Sequence, residues 1–260
     1  MKRLFLIIAL SVLLPVVSWS ACTKDERTDF AGMGFLWTYS GSIGEVENVT
    51  ITLSFDKNML SAVLYDSKIS RNIKLEGQIF DDGHVKLQST ENTETKVVLE
   101  GKFLESDPRG KYRSKLNCEV LSVNYASPLK QDSFILGMEH GYSGSIDHRY
   151  SRIGADDDDR VEQEAKRFIE AVARRDKLTV ANCMNYPVRV NGIRGHKTIY
   201  NEKQLLKDYD RIFKPEFSKA ISVSRPYHMF VTKYDEALLG SGLVTFVRNG
   251  KVSVILNWDR

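Results

Sequence analysis

A basic cluster surrounds a glycine turn. Arg189, Arg194, His196 and Lys197 flank Asn191-Gly192 and Gly195. Such a cluster could receive an acidic partner or an anionic ligand, and a solvated loop is the plainer alternative. The five histidines are His84, His140, His148, His196 and His228. None has the His-x-x-x-His or His-Glu-x-x-His spacing that sets two imidazoles on one helix face. His140 and His148, beside Glu139 and Asp147, would bind a metal only if two strands brought them together; two exposed loop histidines are the default, and no metal ligand is assigned.

Nucleophiles and phosphate loops fare no better. Gly240-Ser241-Gly242 is too short for a nucleophile elbow, and it precedes a strand where the elbow needs a strand before and a helix after. Gly41-x-x-Gly44 lacks the Gly-Lys-Ser/Thr that completes a phosphate loop. Asp156-Asp157-Asp158-Asp159 is contiguous, whereas calcium loops alternate their ligands around a glycine. The run reads instead as the end of a solvated linker, its last Asp capping the next helix. No catalytic residue and no cofactor is assigned.

The amino terminus supplies an address. Lys2 and Arg3 precede an apolar run over residues 4–17, followed by Ser18, Trp19, Ser20, Ala21 and Cys22. This is the pattern of a secretory signal over residues 1–21, too short for a stable membrane span. It predicts an extracytoplasmic protein, in the periplasm or attached to the outer membrane. Two processing routes fit. Ser20-Ala21-Cys22 suits lipidation of Cys22 and anchoring to a membrane, although Trp19 stands where an aliphatic residue is usual; ordinary cleavage after Ser20 also fits.

Removing Lys2 and Arg3 from 37 basic residues leaves 35 against 34 acidic ones, a balance of +1. The pI of 8.6 therefore overstates the mature charge. A near-neutral chain of interspersed signs has no footprint for nucleic acid. At 42% hydrophobic the chain is globular. Its cysteines are Cys22, Cys118 and Cys183, an odd number for an oxidising compartment. Cys118 and Cys183 either pair or stand apart as small buried hydrophobes.

The elements that must carry these residues fall into two units. Residues 30–144 read as an all-β domain. Residues 49–55 alternate as a half-buried strand, and 60–65, 73–80, 84–88, 97–104 and 111–120 follow, with turns at Asp81-Asp82-Gly83 and Asp107-Pro108-Arg109-Gly110. Even spacing without a helical period predicts an antiparallel meander closed as a barrel or sandwich. Gly77 and Gly101 sit inside strands, where a bulge or tight bend is the usual reason. Tyr39-Ser40-Gly41-Ser42-Ile43 returns as Tyr142-Ser143-Gly144-Ser145-Ile146 and suggests a strand lying beside the first. With Tyr39-x-Gly41-x-Ile43-Gly44 and its Leu-x-Gly strands, the region resembles small secreted bacterial β-barrel domains, in pattern only.

Residues 145–159 read as a linker and 160–260 as an α+β unit. Val161, Ala165, Phe168, Ile169, Val172 and Ala173 share one face of a helix over 160–175. A short helix is predicted over 178–184 and an extended segment at Tyr186-Pro187-Val188-Arg189-Val190. Asn201 caps a third helix, with Gln204 in the capping-box position, a buried face of Leu205, Leu206, Tyr209, Ile212 and Phe213, and a stop at Pro215. Residues 221–223 and 229–232 read as strands. The chain ends in a hairpin over 243–258 around a type I′ turn at Asn249-Gly250, with Val252, Val254, Leu256 and Trp258 on one face and Ile255 the exception.

These pieces resemble the nuclear-transport-factor-2-like superfamily, a curved antiparallel sheet around a helix, over about residues 160–260. The resemblance implies a cone, whose interior Tyr209, Phe213 and Trp258 could line as a pocket, with ordinary core as the plainer role. The superfamily holds enzymes, binding proteins and assembly modules alike, so it implies no particular activity. The expected function is a non-catalytic extracytoplasmic binding protein, such as a periplasmic immunity or inhibitor protein, with a protein partner or a small ligand. The alternative is a small-substrate enzyme using the cavity of the cone.

Overall fold

The computed structural model describes residues 34–43, 47–66, 71–90, 96–104, 118–127, 130–192 and 195–257. Strands β1 (Phe35–Ile43), β2 (Glu47–Asp56), β3 (Met59–Asp66) and β4 (Arg71–Ile79) are followed by β5 (His84–Ser89), β6 (Val98–Leu104), β7 (Val120–Ser127) and β8 (Lys130–Ser143). Each pairs antiparallel with its sequence neighbour, and β8 returns to β1 to close a barrel. The expected strand over 111–120 meets this structure only at its end: Val120 opens β7, and residues 111–117 lie outside the described residues. The turn at Asp107-Pro108-Arg109-Gly110 lies outside them too.

Alternation decides what fills the barrel. Tyr39, Ile51, Leu53, Leu64, Phe103 and Leu121 point inward and are buried together. The interior is thus a packed core. Gly77 and Gly101 belong to the inward set. A Cβ on Gly77 would fall 1.8 Å from the Lys86 carbonyl oxygen, and one on Gly101 would fall 2.1 Å from that of Ser122. The β4–β5 and β6–β7 pairings run without a register shift there. Close approach of neighbouring backbone, rather than a bulge, therefore requires glycine at both sites.

The outward face of β2 departs from expectation. Thr50 and Thr52 are as buried as the inward residues. A second unit covers this side of the barrel, so β2 is buried on both faces. Leu36 and Tyr142, opposite each other in the β1–β8 pairing, join that unit's core. Of the repeated Tyr-Ser-Gly-Ser-Ile pieces, the first lies within β1 and only Tyr142 and Ser143 of the second lie on adjoining β8, offset from the first: Tyr39 faces Met138, and Glu139 is the extra residue of a bulge.

Residues 145–159 were expected to form a solvated linker, yet Arg149, Tyr150 and Ile153 are buried. The acidic run is used locally. Asp157, not Asp159, caps α1 (Asp158–Ala173), accepting from the backbone N–H groups of Asp159 and Arg160. Asp158 accepts from the backbone N–H groups of Arg149 at 2.8 Å and Tyr150 at 3.0 Å. The helix buries Val161, Ala165, Phe168, Ile169 and Val172 as its period requires, but Ala173 is exposed and Glu162 is buried.

After α2 (Lys177–Asn182) come β9 (Met184–Gly192), β10 (Gly195–Ile199), α3 (Glu202–Ile212) and α4 (Pro215–Ser222). Asn201 caps α3 by accepting from the Gln204 N–H, and Gln204 reaches back to the N–H of Tyr200, one residue short of a regular capping box. Leu205, Tyr209, Ile212 and Phe213 are buried. Pro215 opens α4 rather than simply ending α3, because its fixed φ suits a first helical position. Residues 221–222 are accordingly helical, not a strand.

The sheet is completed by β11 (Phe230–Val231), β12 (Ala237–Leu239), β13 (Val244–Val247) and β14 (Lys251–Leu256), in the order β10-β9-β14-β13-β12-β11. It is mixed, not antiparallel throughout, because β14 runs parallel to β9. The last hairpin turns through Arg248–Gly250 with a left-handed Gly250 at φ 69°, a three-residue loop in place of type I′. A bulge then shifts the register: Phe246 faces Val252, but Thr245 faces Val254. The extra residue explains why Val252 and Ile255 are both buried while Val254 is not. The chain is thus an all-β barrel plus an α+β unit, each with its own core.

Candidate functional site

The most elaborate polar arrangement lies in the seam between the two units, centred on Glu162. Its Oε1 accepts from Arg149 Nη2 at 3.1 Å, the Tyr150 hydroxyl at 2.9 Å and the His228 backbone N–H at 2.8 Å. Its Oε2 accepts from Asn72 Nδ2 at 2.6 Å. The Tyr150 oxygen also accepts from the Met229 N–H at 2.9 Å. One carboxylate on α1 thereby holds the barrel through β4, the turn after the barrel, and the segment before β11. Burial works against the Arg149 charge, but Glu162, Tyr150 and Asp158 together hold its pKa above the ordinary arginine value.

His228 crosses the seam in a left-handed backbone conformation, φ 54°. Its tautomer follows from its neighbours. Asn72 donates through Nδ2 to Asp159 at 2.7 Å as well as to Glu162, so its Oδ1 faces His228 Nε2 at 3.2 Å. Nε2 must therefore carry the proton. Nδ1 then accepts from the Thr52 hydroxyl at 2.7 Å, and Thr52 accepts from Thr38 at 2.9 Å. The imidazole is neutral: burial first, then Arg149 and His140, push its pKa well below the ordinary histidine value. Burial also lowers the pKa of His140, against the opposing pull of Glu139 and a hydrogen bond to the His228 backbone.

Beside this network opens a cleft of about 610 Å³, with walls from both units. Glu139 and Arg225 face each other across it at 3.3 Å, and Ser40 donates to the same Glu139 oxygen. Tyr227 stacks on Tyr65 of the barrel with ring centroids 3.4 Å apart.

A second concavity, of about 260 Å³, lies where the β9–β10 hairpin meets the end of α3. His196, Lys197, Arg211 and Lys214 line it with the single acid Asp208, which takes Lys197 at 2.5 Å. Asn257 forms part of its floor. Its amide donates to the Ile212 carbonyl at 2.7 Å and the Arg211 carbonyl at 3.4 Å. Those carbonyls end α3 and would otherwise present the helix's negative pole to an incoming anion.

No protein-family model, curated protein or solved structure matches the chain.

The residues singled out from sequence divide accordingly. His196 and Lys197 do meet at a concavity, joined by Arg211 and Lys214. Arg189 is exposed and turns to Asn191 at 2.8 Å, while Arg194 lies outside the described residues. Tyr209 and Phe213 are core side chains, with rings 4.8 Å apart, and Trp258 lies outside the described residues. His140 lines the seam cleft, whereas His148 is exposed. No group of three or more His, Cys, Asp or Glu among the described residues could hold a metal. Cys118 is disulfide-bonded and Cys183 is a free, buried thiol, so the two do not pair. Cys22 lies outside the described residues.

Glu162, Asn72, Arg149, Tyr150, His228 and Arg225 were not singled out. Glu162 left one trace: it follows Val161 and stands one turn before the apolar Ala165, at the edge of the buried stripe. A carboxylate there can be drawn into a core if a guanidinium meets it, and nothing local in the sequence says that Arg149 does.

Proposed function

We propose that the chain is a non-catalytic binding protein of the extracytoplasmic space, and that its basic concavity receives an acidic segment of a protein partner. A periplasmic immunity or inhibitor protein is the specific form of this reading, with the α+β unit as a nuclear-transport-factor-2-like module. The observation that carries it is the gathering of Lys197, Arg211, Lys214 and His196 around one acid, above a floor whose carbonyls are capped. Packing favours binding over a small-substrate enzyme in the cone. Phe168 meets Phe213 and Phe246 edge-on, and Tyr209 packs on Phe213, in the space between helix and sheet that such a cavity would need.

A fluorescent decapeptide of alternating Asp and Gly tests the reading. Binding at low ionic strength should weaken as salt is added. Arg211→Glu with Lys214→Glu should reduce affinity by about tenfold or more, since rim charges of the wrong sign repel. Absence of binding at low salt, or binding indifferent to the double substitution, rejects the concavity as the site.

The state of Cys22 is a separate prediction. With Cys183 free and Cys118 bridged, Cys22 is the remaining cysteine of the sequence. A sulfur cannot carry a thioether lipid and a disulfide at once. Intact-mass analysis without reductant should therefore find either an acylated chain in the membrane fraction or an unacylated chain in the soluble one. A single species both acylated and bridged, its mass rising by two hydrogens on reduction, would contradict the exclusion.

A further inference from the structure

We infer that the acidic segment binds by strand addition, and this rests on the basic concavity as the docking site. The segment lies extended along the open side of β10 and adds a strand to the six of the mixed sheet. β10 begins the strand order, with β9 as its one strand neighbour. Among the described residues no other group bonds to the main chain of residues 195–199. Gly195, His196 and Lys197 are exposed.

The hairpin fixes which main-chain groups face outward. Gly192 pairs with Gly195 across a loop of two residues. Such a closing pair exchanges its own hydrogen bonds, and every second pair of an antiparallel ladder does the same. In the β9–β10 register the bonded pairs are then Val190–Lys197 and Val188–Ile199. His196 and Thr198 are left to turn their N–H and C=O groups to the open side.

The same alternation sorts the side chains. Ile199 is buried in the core, and Lys197 reaches Asp208 on α3 at 2.5 Å. Positions 197 and 199 thus face the α3 side of the sheet, and so does a residue added opposite Lys197. In an antiparallel partner that place is a non-hydrogen-bonded pair, where side chains approach most closely. An Asp there meets Lys197, with Arg211 lining the same concavity. A segment with Asp at every second residue sets each Asp on that side, whereas a basic segment is repelled by Lys197. Main-chain bonds supply affinity and alternate side chains supply selectivity. The five residues of β10, at about 3.4 Å each, offer about 17 Å of main chain.

The probe is an acetylated, amidated peptide of alternating Asp and Thr, titrated into the full mature chain. Two companions carry main-chain N-methyl groups, one on every Thr and the other on every Asp. Only alternate N–H groups of an added strand face β10, so one companion should bind about tenfold weaker or worse and the other within about threefold of the parent. Loss in the Thr-methylated peptide means antiparallel addition, and loss in the Asp-methylated one means parallel addition. Saturating parent peptide should also slow amide hydrogen exchange at His196 and Thr198, while Lys197 and Ile199 are protected beforehand. Thr198→Pro removes an outward N–H and no ladder bond, so it should weaken binding about tenfold with the circular dichroism spectrum unchanged. Parent binding that Arg211→Glu with Lys214→Glu weakens, but that both companions share equally, keeps the concavity and overturns strand addition. Equal loss in both companions, or unchanged exchange at His196 and Thr198, overturns it as well. No binding by the parent peptide at low salt overturns both.

Discussion

Glu162→Ala is expected to lower stability by about 3–5 kcal/mol, the cost of leaving the partner of a buried ion pair uncompensated. Arg149 is 3% exposed and Glu162 1%, so the guanidinium left behind has almost no access to water. Asp158 lies 3.6 Å from Arg149 Nη1 and offsets a part of the loss. The substitution also strips acceptors from the Tyr150 hydroxyl, the His228 N–H and Asn72 Nδ2. Urea unfolding of the parent and the variant measures the difference. Replacing both charges, as Arg149→Met with Glu162→Leu, should recover much of it, because a buried pair exchanged for apolar groups is often near neutral. A single-variant loss below about 1 kcal/mol would show that Glu162 does not hold the seam.

Acid is expected to destabilise the protein from about pH 6.5 downward, before most carboxylates titrate. His228 and His140 both have folded-state pKa values below the ordinary one. In the unfolded chain each takes up a proton near pH 6.5; in the folded protein each refuses it until lower pH. Below that point the unfolded state binds more protons, so unfolding free energy falls with pH, by up to about 1.4 kcal/mol per pH unit for each histidine. The loss stops growing once pH passes below the folded-state values. The groups facing His228 are Arg149, Glu162 and His140, with Asp159 reached through Asn72 and the Glu139–Arg225 pair across the cleft. His228→Gln should remove one histidine's share of the slope between about pH 6.5 and 5, whatever it does to stability at neutral pH. An unchanged slope would assign the effect elsewhere. The tautomer can be read directly, since a protonated Nε2 and an unprotonated Nδ1 have distinct nitrogen chemical shifts.

What the sequence made legible, and what it hid, follows the range of the forces involved. The alternation of residues 49–55 reports the inward face of β2 faithfully, because that face depends on period alone. It cannot report that Thr50 and Thr52 are covered, since the cover comes from residues far along the chain. Of the long strand β8 only the end is marked in the sequence, by the repeat at Tyr142, because Ile135-Leu136-Gly137-Met138 is an unbroken apolar run and the Glu139 bulge breaks the period. Ile255 breaks the alternation of its strand because the β13–β14 bulge shifts the register beneath it. Pro215 reads equally as a stop and as a start, and only the next turn of helix decides. The basic cluster was visible as a local run; Arg211 and Lys214, which complete it, come from another element. The roles of Glu162 and His228 were hidden because their partners lie 12 to 176 residues away.

Closure of the barrel has a consequence for how copies of the chain meet. Every barrel strand has both neighbours, so among the described residues the unpaired strand edges that invite sheet-to-sheet association are those of β10 and β11, the outer strands of the other sheet. β11 is two residues long and packs against β8. β10 is the longer edge, and it carries exposed His196 and Lys197. Charge on an edge strand, lysine above all, discourages a second chain from extending the sheet. The side chains that recruit an acidic partner in our reading thus also guard this edge against the chain's own copies.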